Sequence, residues 1–383
     1  MSEDIGKTNI SRREFLKILG VFGMGGIVGC TPRPVRNILE STPDIVSKET
    51  IDFVDSEAVN EIPLKFSGEV EVNLGGLKWT PDTNTSYLNN PDGTHSFFLA
   101  AGTESFKLEG KDILHLGDPK KVMSPSLKES QFGFNGYRGI GSVIRDGERI
   151  WSFDHIEEWP SLDNGDNFSA RVGLSLSKDR GDSFENQGIV IDGKRTLKAG
   201  TEISGAGQPC AIVKNEGGVE YVYLYFTEWS KDKHYISLAR APLGHLGDPD
   251  SWSKYHNGSF CTKGIGGESS PVIFTPEGEV YSSLASVSWN QKLQKYLCVF
   301  ETGTGFWIAS SKDGTEWSNG QKIANFPTPH DKRRAGDYWY SYPSLISEEM
   351  ESGTTSETGY LVYSKGEYLT KPHQMVVRQF VIG

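Results

Sequence analysis

The chain has 383 residues, a formal net charge of −11 at pH 7 and only four cysteines. This length is ample for a large hydrophobic core. The acidic balance argues against a protein that binds nucleic acid, or one drawn to an anionic membrane surface, because both depend on clustered Lys and Arg.

The first 29 residues are typical of an export signal rather than of a folded domain. The basic segment Ser11–Lys17 precedes an apolar run too short for an ordinary transmembrane helix. Its paired Arg12 and Arg13 resemble the twin-arginine motif, whose export machinery carries folded proteins. Residues Ile27–Cys30 resemble a lipobox, which implies lipidation of Cys30. We therefore expect an exported, membrane-anchored lipoprotein, periplasmic or at the cell surface; the alternative is an uncleaved signal anchor.

Residues 30–65 are predicted to be the lipidated cysteine and a tether, because prolines are scattered there among polar and charged residues. The folded domain is expected to span residues 66–383. Its three cysteines, Cys210, Cys261 and Cys298, allow at most one disulfide and lack the spacing of a metal site. We expect no cofactor and no metal, although Asp and Gln side chains leave room for a structural Ca²⁺ on the axis.

Residues 66–383 repeat a unit of about four short strands, with many aromatic residues and little helical periodicity. The units begin at Thr85, Gly141, Pro209, Ala285 and Tyr342. Turn signals such as Asp146-Gly147 fall between the first two strands of a unit. The pattern predicts an all-β, five-bladed β-propeller, in which residues 68–74 complete the last blade and close the ring. The alternative is a β-sandwich with long insertions.

Two short segments, SKDRGDSF and SKDGTEW, occupy the turn between the third and fourth strands of their units. Both resemble the Asp-box turns of sialidases and other propeller proteins. An Asp there accepts hydrogen bonds from the turn, Gly permits unusual backbone angles and the aromatic residue packs between sheets. We expect a structural role, on the face away from the pocket. The residues concerned are Ser177, Asp179, Gly181, Phe184, Ser311, Asp313 and Trp317.

In a propeller, the segment before each inner strand and the loop after the second strand open on the pocket face. The first set comprises Asp82, Arg138, Gln208, Glu268 and Gly336–Pro343. The second set comprises Asp154–Trp159, Thr227–Trp229 and Glu301–Gly305. Carboxylates mixed with aromatic residues are typical of sugar-binding sites, where rings stack on sugars and charged groups bind hydroxyls.

These features resemble the five-bladed propeller glycoside hydrolases of families 43 and 32. The resemblance covers most of residues 66–383, and the Asp-Pro pair of the family stands here as Pro81-Asp82. It implies that Asp82 is the base or nucleophile, that Glu228 is the proton donor with Glu268 as competitor, and that Asp154 or Glu157 tunes the site.

Other residues are predicted to bind substrate. Arg138 suits an anionic sugar group, or else forms a buried ion pair. His155 lies beside a cluster of acids and contacts a sugar hydroxyl or serves as a base, unless it is structural. Trp229, Tyr340 and Glu301 complete the set.

The sequence thus predicts a monomeric glycosidase that acts on an oligo- or polysaccharide. Three alternatives remain: a sialidase-like enzyme, a polysaccharide lyase using His155, and a surface glycan-binding lipoprotein without catalysis.

Overall fold

The computed structural model describes residues 50–54, 62–102, 104–123, 136–158, 168–193, 203–230 and 233–383. The predicted signal peptide, Cys30 and most of the predicted tether lie outside these residues. In the described ranges no helix is long and apolar enough to cross a membrane.

The described chain consists of strands, short 3-10 turns and loops, without an α-helix in the described ranges. The amino-terminal strands are β1 (Asp52–Phe53), β2 (Leu64–Phe66) and β3 (Val70–Glu71). Blade 1 contains β4 (Ser86–Asn89), β5 (His95–Ala101), β6 (Glu104–Asp112), β7 (His115–Leu116) and β8 (Lys120–Met123). Blade 2 contains β9 (Gly136–Asp146), β10 (Arg149–Glu158), β11 (Ser169–Ser177) and β12 (Glu185–Asp192).

The remaining strands form three further blades. Blade 3 contains β13 (Ser204–Glu216), β14 (Val219–Ser230), β15 (Lys233–Pro242), β16 (Ser253–His256) and β17 (Ser259–Lys263). Blade 4 contains β18 (Ser283–Asn290), β19 (Lys295–Glu301), β20 (Gly305–Ser311) and β21 (Gln321–Asn325). Blade 5 contains β22 (Tyr338–Ile346), β24 (Thr358–Glu367) and β25 (Lys371–Ile382), while β23 (Thr354–Thr355) pairs with β18. The 3-10 turns are Leu243–His245, Pro249–Ser251 and His330–Lys332.

The blades are arranged as a closed ring. Within each blade the strands pair antiparallel in chain order, except that β6 of blade 1 pairs with both β7 and β8, and a two-residue parallel pair joins β11 to β13. The inner strands β4, β9, β13, β18 and β22 contact one another in that order, and β22 also contacts β4. The prediction of an all-β propeller is therefore confirmed, and the β-sandwich alternative is wrong.

The chain before the first blade closes the ring. β2 and β3 both pair with β25, so they supply the outer strand of blade 5, as predicted for residues 68–74. β1 pairs with β21, the outer strand of blade 4. Ile51 and Leu64 are buried in the core that blades 4 and 5 share. The folded part therefore begins before residue 66, because residues of blades 4 and 5 bury these two apolar side chains.

The turns with the Ser-x-Asp pattern are held by local hydrogen bonds. Asp179 Oδ1 accepts from Ser183 N at 2.9 Å, and Ser177 Oγ accepts from Gly181 N at 2.8 Å. Asp313 Oδ1 likewise accepts from the backbone of Thr315 and Glu316. The aromatic Phe184 packs against a neighbouring blade, edge-on to Phe98. In the second turn, Trp317 packs edge-on against Tyr225, Ser311 Oγ donates to Asp313, and the amide of Gly314 donates to Ser311 Oγ.

Candidate functional site

A pocket opens at the ring axis, on the face where the inner strands begin. The empty space between its lining residues amounts to about 460 Å³, part of which is open to solvent. Apolar and aromatic side chains form most of its wall, and polar groups are interspersed among them. The lining residues are Phe168, Ile203, Gln208, Trp229, His234, Ser283, Leu284, Glu301, Trp339, Ser341 and Tyr342.

A β-bulge recurs in the inner strands at the level of this pocket. In β13, β18 and β22, two residues lie opposite one residue of the next strand. The first bulge residues, Gln208, Leu284 and Tyr342, have φ angles of 52°, 56° and 57°. All three line the pocket. Bulges re-aim side chains beside functional sites, and here they turn one residue of each of three blades toward the axis.

Glu301, at the end of β19, is the buried carboxyl of this pocket. Its side chain accepts from Ser341 Oγ and, at 3.4 Å, from Tyr281 Oη, while His330 Nδ1 lies 3.4 Å away. Burial raises the pKa of Glu301 to about 7, although hydrogen bonds from Ser341 and the Tyr342 amide, and the charge of Arg333, oppose the increase. A carboxyl of this kind is protonated in half of the molecules near neutral pH and can donate a proton.

Asp82 lies beside Tyr342, the bulge residue of β22. Its Oδ1 accepts from the phenol of Tyr342 at 3.2 Å, and its backbone amide donates to Ala100 O. His373 Nε2 is 3.9 Å from the same carboxylate oxygen, and its ring packs against Trp339 at 4.7 Å. Asp82, which the sequence analysis selected in blade 1, is thus buried behind Tyr342 and is not among the residues that line the pocket.

His155 forms a second layer behind the aromatic wall. Its ring centroid lies 6.0 Å from those of both Phe168 and Trp229. Nδ1 accepts from the Gln208 amide at 3.2 Å, so the proton is on Nε2, which is 3.1 Å from Glu157 Oε1. The pair therefore supports the wall and the bulge from behind, and neither member lines the pocket.

Glu228 and Trp229 are adjacent on β14, so their side chains lie on opposite faces of the strand. Trp229 lines the pocket, as predicted. Glu228 instead accepts from Ser269 Oγ and is close enough to Lys254 to influence the pKa of that ammonium group. The predicted proton donor is thus outside the set of lining residues.

Arg138 and Asp154 form an ion pair inside blade 2. The guanidinium group donates to Asp154 Oδ2 at 2.7 Å and 2.8 Å, and also to Leu174 O and Ser175 Oγ. Burial raises the pKa of Asp154, and the charge of Arg138 opposes that increase. Of the two roles considered for Arg138, the structure shows the buried ion pair; neither residue lines the pocket.

Glu268 and Tyr340 also lie outside the lining of the pocket. Glu268 is exposed in the loop between blades 3 and 4, where its backbone oxygen accepts from Thr262. Tyr340 is buried in the core between blades 4 and 5, stacked on Phe326, and its hydroxyl accepts from Ile51 N at 3.1 Å. Its neighbours Trp339 and Ser341 line the pocket instead.

Among the lining residues, His234 lies outside every segment predicted for the pocket face, whereas Ser341 and Tyr342 lie within the predicted segment Gly336–Pro343 without having been singled out. Burial lowers the pKa of His234 to about 4, so its ring is neutral at pH 7 and can hydrogen-bond a sugar hydroxyl. One sequence signal existed: two of the three bulges place the re-aimed residue directly before a proline, at Gln208-Pro209 and Tyr342-Pro343.

In the described part of the chain, no group of three or more His, Cys, Asp or Glu side chains is placed to hold a metal ion. The cysteines Cys210 and Cys298 are buried as free thiols, and Cys261 is an exposed free thiol.

No protein-family model and no curated protein sequence matches the chain. Among solved structures, it is similar to Zg3597, a family 117 glycoside hydrolase of the marine bacterium Zobellia galactanivorans, with 12% identity, a TM-score of 0.51 and coverage of 84% of this chain and 90% of that chain. It is also similar to an α-L-arabinofuranosidase from Lactobacillus brevis (13%, TM-score 0.49, 81% and 94%) and to an exo-1,5-α-L-arabinanase from a bovine ruminal metagenomic library (13%, TM-score 0.48, 80% and 98%). The likeness to Zg3597 supports the propeller fold.

Proposed function

We propose that the protein is a glycoside hydrolase that cleaves glycosidic bonds of an oligo- or polysaccharide in the axial pocket. The observation that carries this proposal is Glu301, a buried pocket carboxyl whose pKa is raised to about 7. A group poised near neutral pH can give its proton to the leaving glycosidic oxygen. The fold shared with a family 117 glycoside hydrolase is consistent with this chemistry.

Asp82 is the second carboxylate in the proposal. Glycoside hydrolysis needs one acid and one base or nucleophile on either side of the bond. Tyr342 separates the two groups, because its phenol donates to Asp82 and its amide to Glu301. Asp82 is the base of this pair and acts through Tyr342, which lines the pocket and donates its phenol proton to Asp82, while Glu301 protonates the leaving oxygen. This changes one sequence assignment, since Glu301 rather than Glu228 becomes the acid.

The aromatic wall supplies the binding surface. Trp229, Trp339 and Phe168 present ring faces or edges to the pocket, and such surfaces pack against sugar rings. Gln208 Oε1 and Trp339 Nε1 are shielded from solvent and have no hydrogen-bond partner among the described residues. An acceptor and a donor are thus available for sugar hydroxyls in the pocket.

The finer assignments remain part of the proposal. They are the relationship to families 43 and 32, the Asp-box identity of the two turns, and export as a twin-arginine lipoprotein that acts near the cell surface. Because Arg138 is paired with Asp154, it is not free to neutralise a substrate carboxylate, and this weighs against the polysaccharide lyase alternative.

The test measures the release of reducing ends from a panel of arabinan, xylan, galactan, agar and pectin fragments by the native protein and by Glu301→Gln. We expect turnover to fall by about 10²–10⁴-fold in the variant, with sugar binding retained when followed by tryptophan fluorescence. Glu268→Gln is the matched control, since it makes the same chemical change at an exposed residue. Sugar binding without any release of reducing ends by the native protein, or an active Glu301→Gln variant, would refute the proposal.

A further inference from the structure

A basic loop lies beside the pocket of this acidic protein. Lys332, Arg333 and Arg334 are consecutive in a chain whose net charge is −11. They begin at the last residue of the 3-10 turn His330–Lys332, which is fixed to blade 4 because the amide of His330 donates to Gly303 O at 2.8 Å. His330 itself contacts Glu301 and Tyr281, so the turn packs against the proposed acid.

Arg333 points inward from this loop, whereas Lys332 and Arg334 are exposed. Its guanidinium carbon lies 5.3 Å from the ring centre of Tyr368. Tyr368 packs in one hydrophobic cluster with Leu284, Trp339 and Tyr342. The last three residues line the pocket. The guanidinium group therefore packs on Tyr368, which lies behind these lining residues.

Two of the three guanidinium nitrogens of Arg333 have no acceptor within the described ranges. Nε and Nη1 are both shielded from solvent and make no hydrogen bond to a described residue. The nearby Asp337 carboxylate accepts from the amide of Arg334, and the Glu301 carboxyl accepts from Ser341 and Tyr281. Shielded donors without acceptors are rare in proteins because each costs desolvation free energy, so these donors call for a specific explanation.

Arg333 is charged in the working range of the protein. Burial lowers the pKa of its guanidinium group to about 10, and the nearby Tyr281, Glu301, Tyr368 and Asp337 oppose the decrease. At pH 7 Glu301 is only partly ionised, so it only partly compensates the positive charge. An anion bound at Arg333 would supply the missing acceptors and the missing charge together.

We propose that Arg333 is the anchor of an anion-binding subsite and that the substrate is a glycan carrying a carboxylate or a sulfate group. This inference rests on the proposed function, because the subsite adjoins the same pocket. The exposed Lys332 and Arg334 attract the anionic chain toward the rim. Neutralisation of Arg333 by the substrate also removes a positive charge beside Glu301, which keeps that carboxyl protonated as the acid requires.

The experiment compares matched sugars on the full-length protein by tryptophan fluorescence, since Trp229 and Trp339 line the pocket. The probes are D-galacturonate, D-galactose 6-sulfate and neutral D-galactose. We expect at least one anionic sugar to bind about tenfold more tightly than galactose, a preference that Arg333→Gln removes and Arg333→Lys retains in part. The control Arg149→Gln removes the same charge from an exposed ion pair on the hairpin at the far end of blade 2 and should keep the preference.

The outcomes separate this inference from the proposed function. Equal binding of neutral and anionic sugars by the native protein, or a preference that survives in a folded Arg333→Gln variant, would overturn the anionic subsite. If inorganic sulfate binds in an Arg333-dependent way but neither anionic sugar is preferred, the subsite is not a glycan subsite and the inference is again overturned. In each case, Glu301-dependent release of reducing ends from a neutral glycan would leave the hydrolase proposal standing.

Discussion

The phenol of Tyr342 donates to Oδ1 of Asp82 at 3.2 Å, while the backbone amide of Tyr342 is hydrogen-bonded to the carboxyl of Glu301. A single bulge residue of blade 5 therefore fixes a carboxylate from blade 1 and a carboxyl from blade 4. Because the bulge sets the direction of Tyr342, the spacing of the proposed base and acid depends on backbone geometry rather than on flexible side chains.

Replacement of Tyr342 by Phe should lower kcat by about tenfold or more, because Asp82 loses the hydroxyl that orients it while the aromatic wall remains. Steady-state kinetics on the substrate found in the glycan panel would measure the effect. Tyr340→Phe is the matched control, since that hydroxyl accepts from Ile51 N in the core. The control should lose about 1 kcal/mol of stability and keep its kcat. An unchanged kcat in Tyr342→Phe would exclude the proposed orienting role.

Activity should decline as pH rises through about 7, because the proposed acid must be protonated and burial raises the pKa of Glu301 to about 7. Ser341 donates to this carboxyl and thereby favours its charged form. Ser341→Ala should therefore move the alkaline limb of the kcat/KM profile to higher pH. A limb that stays in place in Ser341→Ala, or moves to lower pH, would show that another group controls it.

Much of the fold could be predicted because turns and strand patterns are local. The pair Asp146-Gly147 lies between β9 and β10, and Gly217-Gly218 lies between β13 and β14, where both glycines have positive φ. Closure of the ring by residues 68–74 was predictable because an unpaired strand edge needs a partner. The short pairing of β1 with β21 was not, because two residues carry too little pattern.

The site was harder to predict because it depends on which face of a strand each residue occupies. Side chains alternate along a strand, so a bulge of one residue changes the assignment of every residue beyond it. Within the predicted segment Gly336–Pro343, the structure places Trp339 and Tyr342 at the pocket and the predicted Tyr340 in the core, a division that the strand pattern does not reveal. Glu301 was predicted to bind substrate and not to be the acid, because its raised pKa comes from burial in the folded protein, which the sequence does not reveal.

The same carboxyl makes stability depend on pH. The pKa of Glu301 is raised in the folded state, so the folded protein binds more protons than the unfolded chain between about pH 4.5 and 7, and stability decreases as pH rises through that window. Glu301→Gln should remove this dependence. The free energy of unfolding of the variant minus that of the native protein should increase by on the order of 2–3 kcal/mol between pH 5 and pH 8.

Urea unfolding at the two pH values would measure this difference. The comparison with the variant is needed because other groups also make stability depend on pH. The pKa of Glu348 is raised to about 7, and burial lowers the pKa of His330 well below its ordinary value. These contributions are common to both proteins and cancel in the difference. A pH-independent difference would show that Glu301 titrates normally.

Asp179→Ala should lower stability by about 1 kcal/mol and leave turnover unchanged, because the carboxylate accepts from the amide and hydroxyl of Ser183 within its own turn. The turn lies at the end of β11 opposite to Phe168, about 26 Å along the strand from the pocket. Urea unfolding and the reducing-end assay measure the two effects. Loss of turnover in a fully folded Asp179→Ala protein would contradict a structural role.

Arg138→Met should lower the free energy of unfolding by about 3–5 kcal/mol, because it leaves Asp154 buried without its cation. The double variant Arg138→Met/Asp154→Leu should recover much of this loss, since an apolar pair needs no compensating charge. Arg149→Met is the control: its partner Asp146 is near the surface, and the loss should stay within about 1 kcal/mol. If Arg138→Met is as stable as the native protein but no longer binds sugar, Arg138 acts on the substrate after all, and the ion pair is not its main role.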